Sequence, residues 1–303
     1  MSIELLYLDG EFMPLSEGLI PVEDRGLQLG DGVYEVVKIM NGRLVWLEEH
    51  LERLDRSLAA VKMTGAVAGH RLERVLPELA ARSGIDEGMA YIQVTRGAAP
   101  REFEFPQPSR PTVLAYARSR PAPAVDAIRA GVMLHPVEDL RWARCDIKAT
   151  DLLAAVLAKA DARSAGAQEA LFVAPDGTVR EGGSSNVFAV LGEVLRTHPA
   201  DNRVLAGITR RHVLEMAREA GYAVEERAFT LAEVTLASDR DCEVFLASTL
   251  KDIMPVVRVG TDLIGGGRPG RVTLALLDVL RRQQALLVGL EPPAALTRWA
   301  PGR

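Results

Sequence analysis

Short turn-forming dipeptides sit between β-prone runs along this chain, on both sides of a proline-rich break at Arg120-Pro-Ala-Pro-Ala124. Two runs joined by such a turn can only lie antiparallel, so this punctuation constrains the fold more than any other feature. Asp9-Gly10 follows Leu5-Leu-Tyr-Leu8, and Asn41-Gly42 separates Val33–Met40 from Arg43-Leu-Val-Trp46. Leu47, Leu51, Leu54, Leu58 and Val61 then recur at helical spacing, which predicts a helix from Leu47 to Met63. A second helix is predicted from about His70 to Arg82. Strands Tyr91–Arg96 and Thr112–Ala117 bracket a loop, Gly97 to Pro111, that is too long for a plain connection.

Beyond the break the same vocabulary returns. A strand is predicted at Gly131–Pro136, then an extended piece ending at Lys148 and a helix to about Gly166. Pro175-Asp-Gly177 joins Glu169–Ala174 to Thr178–Glu181, and Ser185–Val190 pairs with Glu193–Thr197. Helices are expected at about Thr209–Gly221 and Arg271–Leu287. Hairpins mixed with helices argue for α+β domains rather than a doubly wound sheet. The boundaries drawn are a small α+β domain over 1–120, a linker at 121–124, a larger α+β domain over 125–288 and a loosely held tail at 289–303.

Composition narrows the function. At 303 residues, 48% hydrophobic and 25% charged, the chain can bury more than one core, and its net charge of −5 offers no footprint for nucleic acid. Its longest apolar runs are far short of a membrane span, and the start lacks the pattern of a signal peptide. Cys145 and Cys242 have no metal-type spacing, and the five histidines form no zinc motif, so no metal is expected. A reduced, cytoplasmic enzyme is the expectation.

The chain spells nearly all its positive charge as arginine. Of 36 basic residues only Lys38, Lys62, Lys148, Lys159 and Lys251 are lysines. A lysine can do what arginine cannot, namely act as a neutral nucleophilic amine. Lys148 closes Cys145-Asp-Ile-Lys148 just before a helix, opposite in face to Ile147. It reads either as an exposed charge at a strand end or as an amine partly desolvated between sheet and helix, available for Schiff-base chemistry.

Other segments carry weaker signals, each with an ordinary structural alternative. Glu181 precedes Gly182-Gly-Ser-Ser-Asn186, a turn that could also wall a polar ligand. Gly207 stands before a helix whose first N–H groups, at Ile208 and Thr209, could seat a phosphate. Ser248 and Thr249 end a strand and could serve the same anion. Arg53, on the first long helix, reads as a surface charge when taken alone.

Taken in order, Asp24-Arg-Gly-Leu-Gln-Leu-Gly-Asp-Gly-Val-Tyr-Glu-Val-Val37, Val94-Thr-Arg-Gly97, Arg144-Cys-Asp-Ile-Lys148, Leu157-Ala-Lys159, Glu181–Phe188 and Gly207-Ile-Thr-Arg210 resemble the class IV, or fold type IV, pyridoxal-phosphate transaminases. The resemblance runs from about residue 5 to about 285 and is nearest to the D-amino acid branch. It implies a two-domain α+β fold with the cofactor between the domains, and a homodimer. Lys148 matches the Schiff-base lysine that also shuttles the substrate proton, and Glu181 the carboxylate on the pyridine nitrogen. Arg53, Ile208, Thr209 and Thr249 match the phosphate cup, with Ser248 beside it, and Leu205 the residue packed on the ring. Tyr34 and Arg101 match residues that gather the substrate α-carboxylate.

The D-amino acid branch ordinarily has histidine where this loop reads Pro100-Arg-Glu-Phe103. Phe103 at the substrate loop cannot donate a hydrogen bond. The resemblance implies transamination between D-amino acids, such as D-alanine, and 2-oxo acids, such as 2-oxoglutarate. A branched-chain L-aminotransferase and an aminodeoxychorismate lyase are the alternatives on the same fold.

Overall fold

Asp9, Gly10, Asn41 and Gly42 all take positive φ, at 48°, 109°, 51° and 67°. Both dipeptides therefore turn the chain with the twist that paired strands need. In the computed structural model, which describes residues 4–237 and 242–296, they join β1 (Leu5–Leu8) to β2 (Glu11–Pro14) and β3 (Gly32–Met40) to β4 (Arg43–Leu44). A short helix α1 (Arg25–Leu29) precedes β3, and α2 (Leu47–Ala60) and α3 (Leu72–Ser83) lead to β5 (Glu87–Thr95) and β6 (Thr112–Ser119). The six strands form one antiparallel sheet in the order β2-β1-β6-β5-β3-β4.

Alternation along β3 gives this sheet two faces. Val33, Val37 and Ile39 join Leu54, Leu58, Leu76 and Leu79 in one buried core. The other face carries a row of stacked rings: Tyr34 lies 5.7 Å from Tyr91, and Tyr91 lies 5.1 Å from Tyr116. The 97–111 loop is pinched shut at its base. A Cβ on Gly97, whose φ is 89°, would meet the Arg110 carbonyl oxygen at 1.8 Å.

The second group of elements comprises α4 (Val125–Ala130), β7 (Val132–Glu138), α5 (Leu153–Ser164), β8 (Glu169–Val173), β9 (Val179–Gly182), β10 (Asn186–Leu191), β11 (Val194–Thr197), α6 (Ile208–Glu219), β12 (Ala223–Glu225), α7 (Leu231–Thr235), β13 (Cys242–Ser248), β14 (Asp252–Val259), β15 (Asp262–Leu263) and α8 (Arg271–Leu287). Its mixed sheet runs β12-β11-β10-β13-β14-β7-β8-β9, with β15 on β14. Phe188 and Phe245 stack at 4.9 Å inside it.

Contacts divide the chain into two compact units, and the division corrects the linear one. The first unit runs to Ala122 and also takes Ile147–Leu152 and Leu287–Leu290; the second holds Pro123–Asp146 and Leu153–Leu286. A single domain continuous over 125–288 does not form, because the start of β3 has a bare edge that 147–152 fills. The Tyr34 N–H donates to the Lys148 carbonyl at 3.0 Å, the Thr150 N–H donates to the Gly32 carbonyl at 3.0 Å, and Ala149 bridges Val33. Lys148 itself is in no strand. Just before the predicted tail, the Val288 carbonyl accepts a hydrogen bond from Asn41; within the tail the Leu296 N–H donates to Asp278, and 297–303 lie outside the described residues.

Candidate active site

The first unit holds a lysine, a row of rings and a buried charge cluster. Ile147 is buried in the core while Lys148, one residue on, turns the other way, and its Nζ stands 4.1 Å from the Tyr34 ring centroid. The amine is half-buried and makes no ion pair among the described residues. The Lys148 amine therefore stands over an aromatic face.

On the core-facing side of β3, Glu35 is fully enclosed. Arg53 donates to it through Nε at 2.6 Å and Nη2 at 2.9 Å, and His50 Nδ1 lies 2.8 Å away. Arg53 is thus no surface charge: α2 carries it and His50 one helical turn apart on the face that meets β3. Burial alone would raise the Glu35 carboxyl, but the Arg53 guanidinium and His50 hold it down at about 2. Burial pushes His50 down as well. Its Nε2 is enclosed without a hydrogen-bond partner among the described residues.

Because the Glu35 carboxyl is depressed from 4.5 to about 2, its stabilising contribution is complete above pH 4.5 and is lost as the pH falls toward 2. Glu35→Gln should cost about 3–5 kcal/mol at pH 7 by leaving buried charge without its counterion, and should flatten this acid limb. Thermal unfolding from pH 7 to 2 measures both.

The second unit, taken by itself, holds a buried carboxylate and a helix start. Glu181, at the end of β9, is 6% exposed. Arg141 Nη1 donates to its Oε1 in a short contact, Asn186 Nδ2 donates to Oε2 at 3.0 Å, and the Leu205 N–H lies 3.1 Å from Oε2. Burial pushes this carboxyl up to about 7 against the pull of Arg141. Asn186 Nδ2 also donates to the Leu205 carbonyl at 2.8 Å, which ties the Glu181 strand to the segment leading into α6.

Gly207 is the residue before α6, and a Cβ there would meet Asn186 Oδ1 at 2.2 Å. No side chain caps α6, whose first residues, Ile208 and Thr209, are buried. Ser248 closes β13 and Thr249 begins the turn to β14, both half-buried. The Ser185 hydroxyl is another enclosed polar group without a partner among the described residues. This is a set of polar groups with unused bonding capacity.

Arg101 and Phe103 stand apart, in the 97–111 loop of the first unit. Both are exposed, Phe103 by 82%, and Arg101 makes no ion pair among the described residues. Tyr34 and Lys148 are thus brought together, as are Glu181, Asn186, Leu205 and Gly207 within the second unit.

Two groups lie outside the sequence reading. Glu35 shares the period-two face of Val33 and Val37, and a carboxylate in that register opposite a helix with His50 and Arg53 is a usable signal. Arg141, a partner of Glu181 from a distant loop, gives none, whereas Asn186 belongs to the turn expected to wall a polar ligand.

The chain belongs to the class IV aminotransferases, whose family pattern it matches over residues 32–259. It is 40% identical over 265 residues to the D-alanine aminotransferase of Bacillus licheniformis, covering 88% of this chain and 92% of that protein. It is 37% identical over 274 residues to the D-alanine aminotransferase of Staphylococcus haemolyticus, with 90% and 95% covered. Among solved structures, a T.th. branched-chain amino acid aminotransferase with pyridoxamine 5′-phosphate superposes with a TM-score of 0.86 at 27% identity, covering 96% of each chain. The 4-amino-4-deoxychorismate lyase of Pseudomonas aeruginosa gives 0.79 at 29%, covering 91% of this chain and 98% of that one. The fold is α+β, as the hairpin pattern predicts.

Proposed function

We propose that this aminotransferase moves amino groups between D-amino acids, such as D-alanine, and 2-oxo acids, such as 2-oxoglutarate, with pyridoxal 5′-phosphate. The observation that carries this reading is Lys148: a half-buried amine without a counterion, above an aromatic ring, in a chain that otherwise avoids lysine. The hand of the substrate is supported by the D-alanine aminotransferases it resembles.

The residues fit that cofactor chemically. The uncapped start of α6 at Ile208 and Thr209, with Ser248 and Thr249, suits a phosphate; the resemblance also assigns Arg53 to that anion, although its charge is already matched by Glu35. The buried Glu181 carboxylate suits a protonated ring nitrogen, and Leu205 supplies an apolar side chain for the ring. When bound, pyridoxal phosphate supplies an aldehyde and a ring that takes up electrons. Lys148 Nζ would be the amine that holds the aldehyde, and the same group would carry the proton removed from the substrate Cα. Glu181 would face the ring nitrogen, where a protonated pyridine would favour its ionised form. Arg101 clamps the α-carboxylate bidentately and Tyr34 adds one neutral hydrogen bond.

Phe103 removes a donor that the D-amino acid branch ordinarily has. The expected result is D-selectivity with a high KM for small D-amino acids, which Phe103→His lowers and Arg101→Ala raises further. Initial rates with D-alanine, L-alanine, D-glutamate and L-leucine against 2-oxoglutarate decide the matter. Faster turnover of L-leucine than of every D-amino acid would move the chain to the branched-chain reading, which the apolar, exposed Phe103 favours.

We place the enzyme in the cytoplasm as a homodimer. Its two cysteines are free, and no helix among the described residues is long and apolar enough to cross a membrane. Leu153, Val156 and Leu157 of α5 expose apolar surface that a second copy could cover. Sedimentation at micromolar concentration tests the dimer.

A further inference from the structure

Arg25 opens α1, where an arginine ordinarily faces water, yet it is 3% exposed. Its Nε donates to Asp31 Oδ2 at 2.8 Å. Its Nη1 donates to the backbone carbonyls of Glu102 at 2.6 Å and Glu104 at 3.2 Å, and its Nη2 reaches the Phe103 carbonyl at 3.5 Å. The side chain thus grips three consecutive carbonyls immediately after Arg101.

Asp31 is shared with a second arginine. Arg96 donates to it through Nε at 2.8 Å and Nη2 at 3.0 Å, and its guanidinium carbon lies 3.8 Å from the Phe105 ring centroid. Ser109 Oγ donates to the Arg96 carbonyl at 3.2 Å. One carboxylate therefore orients two guanidinium groups, and each holds one part of the loop. A planar fork can serve a carboxylate and carbonyls together; an ammonium cannot reproduce that geometry.

The consequence lies at Arg101. Its own side chain is exposed and has no ion partner among the described residues to fix it. Its direction is set by the backbone it stands on, and that backbone is curled by the Arg25 contacts at 102–104. Loop ordering of this kind is preorganisation: it lowers the cost of binding without touching the ligand.

We propose that Arg25 is a positioning residue for substrate selection, which sets the pose of Arg101 through the carbonyls of Glu102, Phe103 and Glu104. The proposal rests on the reading that Arg101 receives the substrate α-carboxylate. Arg25 touches neither substrate nor cofactor; it acts through the loop.

The test uses holoenzyme variants Arg25→Lys, Arg101→Ala and the double variant, with kcat and KM for D-alanine. Arg25→Lys should raise KM roughly tenfold with little change in kcat, as loss of one charge-assisted contact would. The double variant should be no worse than Arg101→Ala, because a residue acting through another has nothing left to act on. Effects that multiply in the double variant would overturn the proposal. An unchanged KM in Arg101→Ala would remove the carboxylate reading itself. A raised KM there with an unchanged KM in Arg25→Lys would remove Arg25 alone.

Trypsin supplies a readout independent of turnover. The Arg101–Glu102 bond of the wild-type holoenzyme should resist cleavage, and Arg25→Lys should be nicked there roughly tenfold faster, following the open population of the loop. Should Arg25→Lys not fold, the wild type alone still decides: rapid nicking after Arg101 in folded enzyme shows an unheld loop and refutes the role, whereas resistance supports it.

Discussion

Lys148→Ala should abolish transamination while the protein stays folded and still takes up cofactor through its phosphate. Loss of a positioned proton carrier alone is worth about 10²–10⁴-fold, and the covalent role is lost with it. Competing lysines are occupied or misplaced. Lys159 Nζ is held by Ser184 at 2.8 Å and Glu169 at 3.2 Å, and Lys62 is exposed. Removing the Lys148 side chain should also disturb the fold little, since it stands over Tyr34 without a salt bridge. Borohydride treatment of holoenzyme followed by peptide mapping checks the assignment directly: label on Lys159 or Lys251 would sink it. Single-turnover measurement with D-alanine gives the size of the loss.

The second large effect is expected at Glu181. Glu181→Gln keeps the shape and can still accept the Leu205 N–H, but it removes negative charge from an enclosed position. Loss of such a preorganised electrostatic partner typically costs about 10–1000-fold in kcat. Arg141 keeps a counterion, because Asp139 binds it through both Nε and Nη2 at 2.8 and 2.9 Å. The fold should therefore tolerate the change, and cofactor affinity should alter modestly. Half-reaction rates equal to wild type would show that Glu181 does not pair with the ring nitrogen.

Local chemistry explains which parts of this fold could be read from sequence. Asn41-Gly42 specifies its own turn through two residues that accept positive φ, and α8 carries a helical pattern with clean ends, so both stood where expected. Short helices such as α1 and α7 were missed because five residues are too few to show a period. The strand after Cys145 was expected from alternation, whereas 147–152 instead lines the edge of β3, a pairing between residues more than 110 positions apart. No local pattern encodes such a partner. Among the candidate residues, Lys148 stands out in the sequence because lysine is rare here, whereas Arg25 is hidden among 31 arginines and its burial shows only in the folded loop.

The return of 147–152 to the first sheet bears on how the chain is made. As the polypeptide leaves the ribosome, residues through Ala122 can assemble six strands, but the leading edge of β3 stays uncovered until Ala149 and Thr150 emerge. An unpaired strand edge invites pairing with another nascent chain. The first unit is consequently not a free-standing module that gene truncation could release at its proline break. An expression fragment ending at Ala122 would carry an open hydrogen-bonding edge into solution, and a peptide containing 147–152 is the natural complement to close it.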